Sequence, residues 1–459
     1  MNLMILNYIL ESSGKMSKLI KNNYKLIILF IIYLVWFLII QPFDYDEIWN
    51  YGFSISMADG YLPYKDFNMV ITPLFNFLIS LPFHIFGKSI LVFHIEGAII
   101  FIITIYFLFK LIGDKSWLIL AVLFGTLAEF FPNYNFFCYT LLIIIIYLEK
   151  NNKSDYLIGF LIGIMILSKQ TIGGVMLIPC ILNVIKDKKK LLKRLIAISI
   201  SLLIFLLYLL TTKTFSYFLD LCVLGLFDFG KQNGFYDFLV VFIVLLIVSI
   251  FICFKNKNNK TNYYIFMFYI VAIPIFDFNH ITFMIISFIF LLFDNIKVND
   301  RIEKIIKYCS ITIIILVFIL MFFNITKFDI KSYPNKVKYF EYKYIKKEQL
   351  NTIDKVNRKI KKYGIDNIVF IGSSESYMLK IQNDRKIEYI DMLNNGNFGY
   401  NGNDKVIKYI NDNKNKIYFV DKKHLYYEDT QVMKNVIRYV IKNGKKIDSV
   451  SLYDIYVFE

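Results

Sequence analysis

Long apolar runs broken by short lysine-bearing stretches dominate the first three-quarters of the chain. They lie near residues 24–43, 73–87, 89–111, 116–131, 136–148, 155–168, 171–185, 194–212, 237–254, 262–277, 280–294 and 305–325. Each is close to the ~20 residues a helix needs to cross hydrocarbon, or somewhat shorter. The pattern predicts a polytopic α-helical membrane protein with about 11–13 membrane segments. From about Asp329 it changes to polar, Lys/Asn-rich sequence with short strand-like runs, "NIVFIG" (367–372), "IEYIDM" (387–392), "KIYFV" (416–420) and "LYDIYVF" (452–458). Helical patterns at 404–414 and 430–444 lie between them, so residues 329–459 are expected to form a separate α/β domain after a transmembrane domain at 1–328.

Positive charge decides how the runs cross. If the first run leaves the cytoplasm and 73–87 crosses fully, 8 Lys/Arg through Lys307 fall in inside loops and 18 outside. If 73–87 dips in and returns, the count becomes 21 inside and 5 outside, the distribution the positive-inside rule expects. The segment 73–87 is short and carries Pro73, Pro82 and His84, which suits an embedded half-helix held by protein. This topology gives a cytoplasmic N-terminus, an extracytoplasmic tail and a plasma-membrane location. The first run reads as a retained anchor, since no small-residue cleavage site follows it.

Composition then narrows the class. Hydrophobic residues make up 57% and aromatics 18%, which excludes a large soluble core and makes the bilayer a partner. The net charge of +16 sits in the short loops, so it orients the chain in the membrane and does not point to nucleic acid. Cys138, Cys180, Cys222, Cys253 and Cys309 are odd in number and widely spaced, and read as small hydrophobes, neither a disulfide framework nor a metal site.

Four acids, Asp44, Asp46, Glu47 and Asp59, cluster just past the first run in "DYDEIWNYGFSISMADG". Apolar residues there recur at helical spacing, with Asp44 or Asp46 suited to the N-cap and Gly60 to the stop. Trp49, Tyr51, Tyr61 and Tyr64 make it look like a helix lying in the membrane interface. Scattered solvated acids would not need to gather at the exit of a span.

At these residues the chain resembles a family. "DYDE" after the first span, then "GYLPYKDF" and "TPLFNFLISLPFHIFG", look like the first extracytoplasmic region of the GT-C glycosyltransferases, in the branch of protein O-mannosyltransferases and lipid A aminoarabinose transferases. "GIMILSKQTIGG" (163–174) resembles that branch's Lys-Gln or Lys-Gly segment at a helix end, and "NIVFIGSSESYML" the extracytoplasmic domain of many bacterial members. The resemblance implies a GT-C-like fold and sugar transfer from a polyprenyl-phosphate-linked donor to an acceptor hydroxyl on an envelope polymer, lipid or protein. In that chemistry a carboxylate takes the proton of the attacking hydroxyl and the lipid phosphate leaves, helped by positive charge and hydrogen-bond donors at its oxygens.

Asp46 is the first candidate base and Glu47 the second; otherwise Glu47 orients Asp46 or binds a sugar hydroxyl. Asp66 either binds sugar or caps the turn that follows it. Lys169, with Gln170 beside it, ends a span on the outer side and is the leading phosphate ligand, the alternative being a snorkelling lysine. Lys65 and His280 follow, whereas His84 and His94 read as core histidines. No cofactor is expected. Relatives carry a second acid in a later outer loop where "FPNYNFF" (131–137) offers only Asn133 and Asn135, with Glu129 nearby, so a metal-assisted mechanism is in doubt and a divalent metal stays an open question. All five arginines, Arg194, Arg301, Arg358, Arg385 and Arg438, fall in inside loops or the tail, which leaves phosphate to lysine or histidine unless the tail reaches over. The turn "GSSES" lacks the spacing of a phosphate loop and reads as a strand-to-helix turn capped by Ser373 or Ser374. The rival function is a transporter or flippase of a lipid-linked sugar; Glu96 is the main acid inside a span, but no internal repeat accompanies it.

Overall fold

The computed structural model describes residues 24–41, 45–227, 238–271, 278–324, 333–372, 374–385, 393, 396–421 and 434–458. The predicted strand at 387–392, Asp44 and Ser373 lie outside them. The apolar runs become helices α1 (Tyr24–Ile40), α2 (Tyr45–Ala58), α3 (Leu74–Ser80), α4 (Phe83–Phe86), α5 (Ile90–Ile112), α6 (Ser116–Gly125), α7 (Tyr134–Lys150) and α8 (Asp155–Ser168). They continue with α9 (Gln170–Leu182), α10 (Lys188–Thr211), α11 (Phe215–Phe218), α12 (Leu239–Lys255), α13 (Thr261–Val271), α14 (Phe278–Asn295) and α15 (Asp300–Asn324). By length and composition three stretches, Ile90–Gly125, Lys188–Thr211 and Asp300–Phe322, can cross a membrane, and seven shorter helices are also apolar. Side-chain caps set several starts: Ser89 accepts from Leu91 N, Asn133 from Phe136 N and Asp187 from Lys190 N, satisfying amides the helix leaves open. The run predicted over 116–131 stops at Gly125, because Leu127 takes a positive φ of 53°.

The bundle has two distinct ends. At one, ion pairs tie the loops: Arg194 bridges Glu149 (2.6 Å) and Asp155 (2.9 Å), and Lys307 meets Asp114 at 2.8 Å. At the other, Tyr344 N donates to Leu38 O at the end of α1 (2.7 Å), and Ile90 N at the start of α5 donates to Tyr339 O (2.8 Å). Two residues five apart in the tail therefore touch the end of α1 and the start of α5. The chain from Leu38 to Ile90 leaves and returns at one end, and α3 and α4, at 7 and 4 residues, are too short to cross.

In the tail, α16 (Lys347–Tyr363), β1 (Ile368–Ile371), α17 (Ser374–Gln382), α18 (Gly402–Asp412), β2 (Ile417–Asp421), α19 (Lys434–Asn443), β3 (Lys445–Val450) and β4 (Tyr453–Val457) build one sheet of order β1-β2-β4-β3. β1 and β2 run parallel; the other pairs are antiparallel. Alternation along the strands gives two apolar faces. Ile368 and Phe370 join α16 and α17 on one; Val369 and Ile371 join α18 and α19 on the other. The first face also shares its core with Ile48, Tyr51 and Phe53 of α2, so it is the side of the sheet turned toward the membrane helices.

That contact corrects the reading of α2 as an interfacial helix. Trp49 and Tyr51 are buried, because α3 and α17 pack against α2 and enclose aromatics that would otherwise lie among headgroups; Tyr64 is buried beside Phe218, with its hydroxyl donating to Ile71 O. Its stop is as expected: the helix ends at Ala58, and Gly60 takes φ 82° while Tyr61 N reaches back to Ser56 O at 3.0 Å, a left-handed exit that suits glycine.

Candidate functional site

Asp46 and Glu47 occupy the first turn of α2, where the helix dipole favours carboxylates. Consecutive helical residues point about 100° apart, and the two acids have different surroundings. Asp46 is half-buried and its carbonyl accepts from Asn50 Nδ2 at 2.8 Å. Glu47 is 1% exposed. Its carboxylate accepts from Lys343 Nζ at 2.9 and 3.0 Å and lies 2.8 Å from His94 Nε2. Lys343, itself fully buried, also donates to Phe37 O at 2.6 Å.

Burial opposes ionisation of Glu47, but the Lys343 ammonium and the hydrogen bonds from His94 and Lys343 outweigh it and hold the carboxyl below its ordinary range. One carboxylate and one ammonium balance, so a neutral His94 donating through Nε2 completes the group. The tail does reach over the first loop, but with a lysine and not an arginine, and that lysine faces Glu47. His94 is the core histidine the sequence suggested. His84, on α4, is exposed and is not.

Lys169 stands at the break between α8 and α9, extended at φ −151° and ψ 106°. Its Nζ donates to Asn135 Oδ1 at 2.6 Å and lies 5.0 Å from the centre of the Tyr134 ring. The lysine is thus turned toward the start of α7 and is not simply extended along lipid. Gly173 makes the break tight: a Cβ there would sit 2.3 Å from Ile166 N. Gln170 uses its amide on main chain, accepting from Thr72 N (3.1 Å) and donating to Val70 O (2.9 Å) and Cys222 O (3.2 Å). Thr72 Oγ1 adds a bond to Ile166 O at 2.7 Å. The "PYKDF" loop is thereby sewn to the α8–α9 break, and Gln170 is a clamp between them.

Within that loop Asp66 Oδ2 accepts from Leu62 N at 2.8 Å, closing its own turn, while Lys65 is exposed. The loop also meets the tail, where Asn68 Nδ2 donates to Asn397 O at 3.1 Å. His280 lies half-buried in the first turn of α14, and Glu96 half-buried on α5. Among the described residues no three His, Cys, Asp or Glu side chains gather as metal ligands would, and all five cysteines are free. Sequence reasoning missed Lys343 and Asn135. Asn135 had a signal, its place in the outer loop where relatives carry an acid; Lys343 had none beyond being one of many tail lysines.

Residues 71–213 match the family model described as dolichyl-phosphate-mannose-protein mannosyltransferase. The matched stretch runs from the end of the "PYKDF" loop to the end of α10 and includes Lys169, Gln170 and Asn135. The crystal structure of ArnT from Cupriavidus metallidurans bound to undecaprenyl phosphate aligns with a TM-score of 0.54, covering 96% of this chain and 98% of that one at 8% identity. The GT-C resemblance holds. The segment is similar to the mannosyltransferase family, and the fold of the whole chain is like that of ArnT. No curated protein matches the sequence.

Proposed function

We propose that the chain transfers a sugar from a polyprenyl-phosphate-linked donor to an acceptor hydroxyl at the extracytoplasmic face. The observation that carries this reading is the mannosyltransferase segment set in an ArnT-like fold, with ArnT itself seen holding undecaprenyl phosphate. The topology inferred from charge supports it: the first loop, the α8–α9 break and the tail then share the outer side, and residues 329–459 form the extracytoplasmic domain.

In the proposed reaction the acceptor oxygen attacks the anomeric carbon as Asp46 takes its proton. The bond from that carbon to the phosphate oxygen breaks, and polyprenyl phosphate leaves with the electron pair. Lys169 neutralises the leaving phosphate, with His280 and Lys65 as further donors. Glu47, tied to Lys343 and His94, holds the first turn of α2 and so the place of Asp46.

The test is transfer by the purified protein in vesicles supplied with tagged hexosyl and pentosyl polyprenyl phosphates and a hydroxyl acceptor. Release of polyprenyl phosphate coupled to labelled acceptor supports the reading. Movement of the intact lipid-linked sugar across the bilayer, with no bond cleaved, would replace it with the flippase reading.

A further inference from the structure

Helix α16 divides its surface sharply. Ile353, Val356 and Ile360 are buried in the core it shares with the sheet, and Lys359 and Tyr363 both reach Asp448 on β3. At ~100° per residue, positions 347, 351, 355, 358 and 362 fall within about 80° of arc, centred roughly opposite that buried stripe. They read Lys, Asn, Lys, Arg, Lys, and all are exposed. The nearest acids, Glu348 and Asp354, lie toward the edges of this stripe.

The direction of that stripe follows from the layers. α16 and α17 cover the sheet face turned toward the membrane helices, and Gln382 and Asn383 at the end of α17 donate to Asn357 of α16. α17 fills the space between sheet and α2. α16 lies beside it on the same face of the sheet, with its charged stripe opposite the residues buried against that sheet. Its start is fixed at membrane level, since Tyr344 N bonds Leu38 O at the end of α1 and Lys347 lies only three residues, at most about 10 Å of chain, beyond.

We propose that this stripe of α16 seats on anionic lipid headgroups in the leaflet at the tail's end of the bundle. Cations held at a headgroup surface draw anionic lipid and lose that attraction within a Debye length, so the helix fixes the height and tilt of the tail over the bilayer. The inference rests on the membrane reading of the bundle and not on sugar transfer.

Amide hydrogen exchange of the full-length protein in nanodiscs tests it, comparing phosphatidylcholine alone with phosphatidylcholine plus phosphatidylglycerol. Segment 347–363 should exchange severalfold more slowly in the anionic discs, the slowing should vanish at high salt, and β1 should not change. The quadruple variant Lys347→Gln, Lys355→Gln, Arg358→Gln and Lys362→Gln should exchange alike in both lipids. Equal exchange of the wild type in the two discs overturns the proposal, as does slowing that survives salt or the four substitutions. Slowing produced by soluble polyphosphate and not by anionic lipid also overturns it, in favour of a polymer partner. Because wild-type lipid and salt dependence decide without the variant, a misfolded variant leaves the test intact.

Discussion

Asp46 and Glu47 are neighbours in sequence but differ in what surrounds them, and the roles proposed for them follow that difference. Glu47 is enclosed with Lys343 and His94, while Asp46 stays half-buried at the same helix end. Asp46→Asn keeps shape and hydrogen bonding but removes the base, so transfer should fall by about 10²–10⁴-fold with normal insertion and unfolding temperature. Near-normal transfer would leave the proton to another group. Lys169→Met should raise the donor concentration needed for half-maximal transfer while sparing the fold, because it removes one part-buried bond, to Asn135 in the first turn of α7; unchanged transfer at limiting donor would end the phosphate role. Of these residues, Asp46 and Lys169 stood out in the sequence because acids cluster at the exit of the first span and a Lys-Gln pair ends another. The occupation of Gln170 by main chain was not, since its partners lie about 100 residues before it, at 70 and 72, and about 50 after it, at 222.

At the scale of elements, hydropathy located the membrane helices well because hydrocarbon leaves the backbone few options. It failed where tertiary contact decides. α2 carries aromatics that suit an interface, yet α17, more than 300 residues later, covers them. β3 went unread because its residues are largely polar and exposed, whereas α16 carried a signal that was passed over, Ile353, Val356 and Ile360 at helical spacing in a polar stretch. The α8–α9 break shows a legible motif with a steric cause. Gly173 faces Ile166 backbone, with Ile166 N 2.3 Å from a built Cβ, and backbone cannot move aside without opening the hinge that Gln170 clamps. Gly173→Ala should therefore cost about 1–3 kcal/mol by overpacking, lowering the unfolding temperature in detergent and weakening donor use, whereas Gly174→Ala, with open space at its Cβ, should do neither. Equal behaviour of the two variants would show that the hinge tolerates a wider spacing.

For the whole molecule, the charge count predicts the tail outside and the α9–α10 loop inside. In a background without native thiols, Lys414→Cys should label with an impermeant thiol reagent in intact cells and Lys189→Cys should not; the reverse would invert the chain and move the site to the other face. The tail is held by more than connection to α15, because Lys343 enters the core beneath α2. Lys343→Met strands the Glu47 carboxylate in a buried place, which costs about 3–5 kcal/mol, so thermal stability should drop sharply. Adding Glu47→Gln removes both charges together and should restore most of it. Acid gives the same result without mutation. Glu47 has its carboxyl held low in the folded state, so its contribution is full above the ordinary carboxylate value of about 4.3 and is lost as pH falls through its depressed folded value. The wild type should thus lose an acid-labile part of its stability that the Glu47→Gln/Lys343→Met pair lacks, read as the difference between their unfolding temperatures from pH 7 downward. Parallel curves would mean that the tail docks through its apolar face alone.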